Sequence, residues 1–253
     1  MTVPSRNARL ASHLLEISKS DLKASKYLFT GKFFCQAVFY LEQSVEKALK
    51  SFQFKFGMMT EEEAKSKEYG HKPHKVIVLV NSRLKEYFAY KKRHPSHPEE
   101  EKVINELEKF LSMLPDPKQS LSNVEGITKS PSIKEFQEII SVIKGWMDFE
   151  SIKKERLINY GVISNLEVRE RLISLDKLYR LGYVNIYKSL NALSVILAQH
   201  AVRSRYSDGL FNPLEQYNEN LPLIEVFGEL ISITEQILQD LENLYTQFFY
   251  DNS

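Results

Sequence analysis

The sequence contains few of the residues on which β-rich, secreted and membrane-spanning proteins depend. It has nine glycines and nine prolines in 253 residues, which is few for a fold with many tight turns. The single cysteine, Cys35, excludes an intrachain disulfide and favours a reducing compartment. No apolar run approaches the roughly 18 residues of a membrane span, and residues 1–9 lack the apolar centre of a signal peptide. We therefore expect a cytoplasmic protein without membrane contact.

The motifs of several enzyme classes are also absent from the sequence. There is no P-loop, dinucleotide-binding glycine pattern or nucleophile elbow, which argues against P-loop hydrolysis and Rossmann redox chemistry. Four of the six histidines form two H-x-x-H pairs, His71 with His74 and His94 with His97. Both pairs enclose or adjoin proline in predicted loops, and no cysteine lies nearby. Because such short patterns match by chance, we predict no metal site and no cofactor.

Charge is distributed unevenly along the chain. Residues 1–57 hold nine Lys/Arg and four Asp/Glu, whereas residues 206–253 hold no Lys/Arg and nine Asp/Glu. One interpretation is a nucleic-acid-binding face with an acidic counterpart. The other is an acidic last helix that packs beside basic helices and neutralises them. We favour the second interpretation, because charge runs are usually solvated faces.

The spacing of apolar residues predicts helices along the whole chain. A first helix is predicted over Arg6–Thr30 and a second over residues 32–56, with Gly31 and Gly57 as breaks. The inward stripes are predicted to be Leu10, Leu14, Ile17, Ala24 and Leu28 on the first helix, and Phe34, Val38, Leu41, Val45, Ala48 and Phe52 on the second. Because the joint between them is short, these two helices should fold back antiparallel. T-x-x-E at Thr60 and S-x-x-E at Ser132 predict two further helix starts.

Later apolar stripes extend this helical pattern to the end of the sequence. They predict helices over residues 75–91, 99–114, 164–181, 183–206 and 222–249. No segment alternates apolar and polar residues with a period of two, so no strand is predicted. The expected fold class is all-α, an antiparallel helical bundle with additional inserted helices.

Four short segments carry a family resemblance. Residues 20–25 contain D-L-x-x-A, residues 70–74 bear two histidines before the predicted third helix, and residues 200–206 read H-A-V-R-S-R-Y. The second helix supplies the remaining pattern, through Ala37, Phe39, Gln43, Glu46, Lys47 and Lys50. Together the segments resemble the HEPN domain, a helical module common in prokaryotic toxin–antitoxin and RNA-processing systems. The resemblance implies one domain over residues 1–253, with a HEPN-like core at 6–92 and 183–250 and a helical insertion at about 95–181.

The resemblance also implies a function in binding. A HEPN-like module would bind a nucleotide, RNA or a nucleotidyltransferase-type protein partner, in a toxin–antitoxin or related system, and would form a homodimer. The candidate ligand-binding residues are Gln43, Lys47, Lys50, His71, Arg203 and Arg205.

A second hypothesis is a divergent metal-independent endoribonuclease. The ribonuclease branch of the family carries R-x(4–6)-H, in which arginine would stabilise phosphate charge and histidine would transfer protons. Here only Arg6 and His13 have that spacing, at the wrong end of the domain. In the segment at residues 200–206 the order is reversed, because the histidine precedes the arginines. This segment offers His200 and Arg203 as catalytic candidates. The positive charges of this segment could instead stabilise the C-terminus of a helix. The protein would then be a non-catalytic scaffold or adaptor.

The polar residues of the second helix share or adjoin one face. Gln43, Glu46, Lys47 and Lys50 lie three or four residues apart. The simplest interpretation is a solvated face that pairs with itself. In that case Glu46 and Lys50 would contribute only about 0.3–0.5 kcal/mol.

Overall fold

The predicted all-α class is confirmed in a computed structural model of the chain. The structure describes residues 6–65, 89–90, 92–93, 131–147, 183–198, 200–207 and 212–250. Within these ranges every regular element is an α-helix, in the order α1 (Arg6–Thr30), α2 (Phe34–Lys55), α3 (Glu61–Lys65), α4 (Ile133–Met147), α5 (Tyr183–Ala198), α6 (His200–Arg203), α7 (Pro213–Gln216), α8 (Pro222–Glu225) and α9 (Phe227–Tyr250). None of the helices searched among these residues is long and apolar enough to cross a membrane.

The joint between α1 and α2 is a tight turn. Helix α1 has the predicted bounds, but α2 begins at Phe34, two residues later than expected. Lys32 has φ 60°, a left-handed conformation that cannot continue a right-handed helix. The turn is held by hydrogen bonds from the Gly31 and Phe33 amides to carbonyls of the last turn of α1.

Serine side chains join α1 to α2 in an antiparallel register. Each serine hydroxyl donates to a backbone carbonyl of the opposite helix, in the pairs Ser18–Ser44 (2.7 Å), Ser25–Ala37 (2.8 Å) and Ser51–Ala11 (2.6 Å). The members of each pair lie equally far before and after Gly31 in the sequence. Small residues at these positions allow the two backbones to approach closely.

The buried face of α1 differs from the predicted apolar stripe. The sequence pattern placed Leu10, Leu14, Ile17, Ala24 and Leu28 inward. The structure buries the adjacent row most completely, Ala11, Leu15, Ser18, Leu22 and Ser25. Leu10, Leu14 and Leu28 pack half-buried against the core, and Ile17 is 45% exposed. The serines face inward because each one bonds a carbonyl across the interface, which compensates for its burial. On α2 the predicted inward residues Val38, Leu41, Val45, Ala48 and Phe52 are all buried.

Both predicted capping boxes among the described residues are confirmed. The Thr60 amide donates to Glu63 at 2.8 Å, and the Glu63 amide donates back to the Thr60 hydroxyl at 3.2 Å. Ser132 and Glu135 make the same reciprocal bonds at 2.7 and 3.3 Å. Each box satisfies amides that a helix N-terminus leaves unpaired, so α3 and α4 begin where the sequence indicates.

The last third contains more breaks than the apolar pattern predicted. The helix predicted over residues 222–249 is divided into α8 and α9, and the one over 183–206 includes α5 and the short α6. Helix α7 begins at Pro213, after Asn212. The Asn212 side chain accepts a hydrogen bond from the Leu214 amide at 3.1 Å and so caps the helix N-terminus. The predicted helices over 99–114 and 164–181, most of the one over 75–91, and His71 lie outside the described residues.

The acidic C-terminal region neutralises basic residues elsewhere, as the sequence predicted. Four ion pairs of 2.5–2.8 Å join it to α1, to the turn after α1 and to α4: Lys19–Glu242, Lys26–Glu235, Lys32–Glu219 and Lys144–Glu229. Most of these side chains are more than one-third exposed, so each pair contributes little stability.

Candidate functional site

The polar face of α2 is partly buried. Glu46 is 6% exposed and the adjacent Glu42 is 4% exposed, whereas Gln43, Lys47 and Lys50 are half-buried. Helices α1, α5 and α6 all pack against α2. The Lys50 ammonium lies 2.5 Å from the Glu46 carboxylate, and both side chains are largely removed from solvent. The simplest interpretation of this face, a solvated self-paired surface, is therefore wrong at this pair, although the pairing itself is present.

Two further predicted ligand residues, Gln43 and Lys47, make contacts within the fold. The Lys47 ammonium bonds the Asp21 carboxylate on α1 at 2.6 Å and the Gln43 amide oxygen at 3.0 Å. The Gln43 amide nitrogen donates to Glu42 at 2.8 Å. These contacts connect α1 to α2 and orient the buried acid. A role for Gln43, Lys47 and Lys50 in binding a ligand stays a prediction.

Glu42 is a titratable residue that the sequence analysis did not select. Burial raises the pKa of Glu42 to about 7; the Gln43 hydrogen bond lowers it, the Glu46 charge raises it, and Arg205 and Lys47 lower it. The carboxyl is therefore half-ionised near neutral pH. One signal was present in the sequence, because Glu42 follows Val38 by one helical turn and so borders the apolar stripe.

His200 on α6 is buried and hydrogen-bonded. Its Nδ1 lies 2.8 Å from the Tyr217 hydroxyl, and its Nε2 has no hydrogen-bond partner in the part of the chain that the structure describes. Burial, and then the positive charge of Arg203, lower the pKa of His200 to about 4. The imidazole is therefore neutral at physiological pH. These properties favour a structural role, and a catalytic role for His200 stays a prediction.

Replacing Tyr217 with phenylalanine is expected to lower the free energy of unfolding by about 1–2 kcal/mol, because it leaves a buried imidazole nitrogen without its partner. Tyr206→Phe is the matched control, since Tyr206 is 61% exposed; it should change stability by less than about 0.5 kcal/mol. Urea denaturation measures both variants. Equal midpoints for the two variants would contradict a stabilising His200–Tyr217 hydrogen bond.

Arg205 brings a cationic group to the first half of α2, and Arg203 lies two residues before it at the end of α6. Both side chains are exposed. The Arg205 guanidinium carbon lies 5.0 Å from the centre of the Phe39 ring on α2, and its charge acts on Glu42. Arg203 acts on His200 and Tyr217. Arg205 thus meets the N-terminal half of α2, which carries part of the family pattern, and α6, which contains His200 and Arg203, packs against the same helix.

The chain belongs to the HEPN domain family. A model of the HEPN domain matches residues 11–144, just over half of the chain. The match begins within α1, includes α2 and α3, and ends within α4. No curated protein and no solved structure matches the chain. Family membership confirms the resemblance and indicates a function related to nucleotides or RNA. The division into a HEPN-like core and an insertion at about 95–181 stays a prediction.

Proposed function

We propose that this HEPN protein binds a phosphate-bearing ligand, RNA or a nucleotide, through Arg203 and Arg205. The supporting observation is the position of these two exposed arginines, at the end of α6 and against α2. A guanidinium offers several donors in a planar fork that matches two phosphate oxygens. Two such groups two residues apart can contact one phosphate or two successive phosphates.

Charge pairing elsewhere supports this choice of surface. Four lysines of α1, its following turn and α4 are paired with acidic residues, and Arg6 is paired with Glu61. Among the ion pairs between described residues, none uses Arg203; the same is true of the exposed Arg9 and Lys23 on α1, which therefore serve as the control in the binding test. The net charge of the chain is only +1, so binding would depend on a local group of cations rather than on the overall field.

The ribonuclease alternative has weaker support. A general base must reach the proton that it removes and should titrate near the working pH. His200 is 5% exposed and its pKa is lowered to about 4. The geometry therefore favours a binding module over a nuclease that uses this histidine.

Binding of a fluorescein-labelled single-stranded RNA provides the test. We expect Arg203→Ala/Arg205→Ala to weaken the affinity at least about tenfold at low salt and to reduce the slope of log K against log salt by about 0.7 for each lost phosphate contact. The matched control is Arg9→Ala/Lys23→Ala, which removes two exposed cations of α1. The control should lose little affinity, because those residues lie outside the proposed site.

The same preparations distinguish the alternative functions. RNA cleavage in EDTA that is lost in the folded arginine variant would support the metal-independent ribonuclease. Equal loss of affinity in the two double variants would indicate nonspecific attraction and contradict the proposed site. Absence of binding by the wild-type protein would contradict the proposal and favour the scaffold or adaptor.

We further propose a homodimer and a nucleotidyltransferase-type protein partner within a toxin–antitoxin or related system. HEPN membership supports these proposals. Light scattering coupled to size-exclusion chromatography tests the dimer, and a mass equal to one 29.5 kDa chain would contradict it. Copurification with a nucleotidyltransferase encoded nearby tests the partner.

A further inference from the structure

A small cluster of aromatic rings surrounds Arg205 at the proposed site. Its guanidinium carbon lies 5.0 Å from the centre of the Phe39 ring and 5.2 Å from the centre of the Tyr206 ring. Phe39 in turn contacts Tyr40 edge-on, with ring centres 5.2 Å apart. A planar cation is thus held against aromatic rings of α2 and of the segment that follows α6.

Tyr206 is the most exposed member of this cluster. It is 61% exposed, whereas Phe39 and Tyr40 are half-buried. An exposed aromatic residue by itself needs no explanation. Tyr206 differs from a solitary exposed ring because one stacking-capable cation adjoins it and a second arginine, Arg203, lies three residues before it.

Aromatic rings and guanidinium planes both stack on nucleobases, largely without regard to base identity. Bases in a duplex are stacked on each other and present only their edges, so a side chain cannot cover their faces. A surface that combines an exposed tyrosine, an arginine beside aromatic rings and a second arginine able to bind phosphate therefore fits a base that is unpaired.

We propose that Tyr206 and Arg205 form a stacking surface for an unpaired nucleobase, while Arg203 binds the adjoining phosphate. This inference rests on the proposed function and narrows it, because the ligand class becomes single-stranded RNA or a free nucleotide. Phe39 supports Arg205 from the α2 side. Binding should then tolerate many base sequences and reject duplex RNA.

Affinities of three variants for four probes test the stacking surface. The probes are a labelled 12-nucleotide single-stranded RNA, a duplex of the same sequence, adenosine monophosphate and ribose 5-phosphate. Tyr206→Ala should weaken binding of the single strand about tenfold or more, whereas Tyr206→Phe should retain it because the ring remains. Tyr27→Ala is the matched control, since Tyr27 is 71% exposed on α1. Ribose 5-phosphate has no base, so its affinity should not change in Tyr206→Ala.

The outcomes separate this inference from the proposed function. If the arginine double variant loses affinity while Tyr206→Ala binds like the wild type, the site recognises phosphate alone and the stacking surface is overturned. Equal affinity for duplex and single strand would overturn it too. Tight binding of the RNA strand with no binding of adenosine monophosphate would identify the ligand as single-stranded RNA, and the reverse would identify it as a free nucleotide. If the wild-type protein binds none of the probes, both proposals fail.

Discussion

Replacing Lys50 with methionine is expected to lower the free energy of unfolding by about 3–5 kcal/mol. The change leaves the Glu46 carboxylate, which is 6% exposed, without the ammonium 2.5 Å away. The Gln43 amide still lies 3.5 Å from that carboxylate, but a buried carboxylate that loses its adjacent counter-ion loses a principal compensation for its lost solvation. Urea denaturation at pH 7 measures the effect.

Two control variants separate the effect of burial on stability from the effect of ion pairing. Lys26→Met also breaks an ion pair of 2.5 Å, but its side chains are 40% and 60% exposed, so the cost should be below about 1 kcal/mol. Glu46→Gln/Lys50→Met removes both charges and should recover most of the loss. If Lys50→Met lowers the free energy of unfolding no more than Lys26→Met does, the buried Glu46–Lys50 pair does not stabilise the protein as its geometry indicates.

Replacing Glu42 with glutamine is expected to stabilise the protein at pH 8 by up to about 3 kcal/mol. Burial raises the pKa of Glu42 from 4.5 to about 7. Between these values the folded protein retains a proton that the unfolded chain has released, so stability falls as pH rises through this window. Above pH 7 the full cost of a buried carboxylate is present. Glutamine removes that cost and keeps an oxygen that can accept the Gln43 hydrogen bond.

His200 has the opposite dependence on pH. Its pKa is lowered from 6.5 to about 4, so between these values the unfolded chain binds a proton that the folded protein does not. Stability therefore rises with pH in that range. In the wild-type protein the contributions of Glu42 and His200 oppose each other between about pH 4.5 and 6.5.

The Glu42→Gln variant should reveal the pH dependence of stability that arises from His200, which Glu42 offsets in the wild-type protein. Its stability should fall by roughly 2–3 kcal/mol from pH 6.5 to 4.5, while its advantage over the wild type disappears at the acidic end. Glu16→Gln is the matched control, because Glu16 is exposed on α1. A difference between Glu42→Gln and wild type that does not vary with pH would show that Glu42 has an ordinary pKa.

Local patterns were enough to predict several elements. The bounds of α1, the antiparallel α1–α2 pair and the capping boxes at Thr60 and Ser132 all follow from interactions within a few residues of each other. The pairing of the acidic C-terminal region with basic residues elsewhere was also predicted, from the distribution of charge along the sequence. The buried face of α1 did not, because Ser18 and Ser25 are polar by type and become core residues only through carbonyls of α2.

The candidate site was predicted in part. The sequence selected Arg203, Arg205 and the α2 residues separately, and the structure brings Arg205 to the N-terminal half of α2 and packs the helix that ends at Arg203 against α2. It did not select Glu42, Tyr217 or Tyr206. Their importance depends on neighbours more than ten residues away in sequence or on solvent exposure. Neither property can be predicted from the spacing of nearby residues.

The sequence by itself determined the helical class, the first helix pair and the HEPN family, because helix periodicity, capping and the family pattern are all read over short stretches of chain. Only the tertiary structure decided which polar groups are buried. Packing around α2 removes water from Glu42 and Glu46, and burial, aided by the charge of Arg203, keeps His200 neutral. Desolvation depends on everything that surrounds a group in space, so the same acid or imidazole titrates normally in one fold and far from its usual range in another.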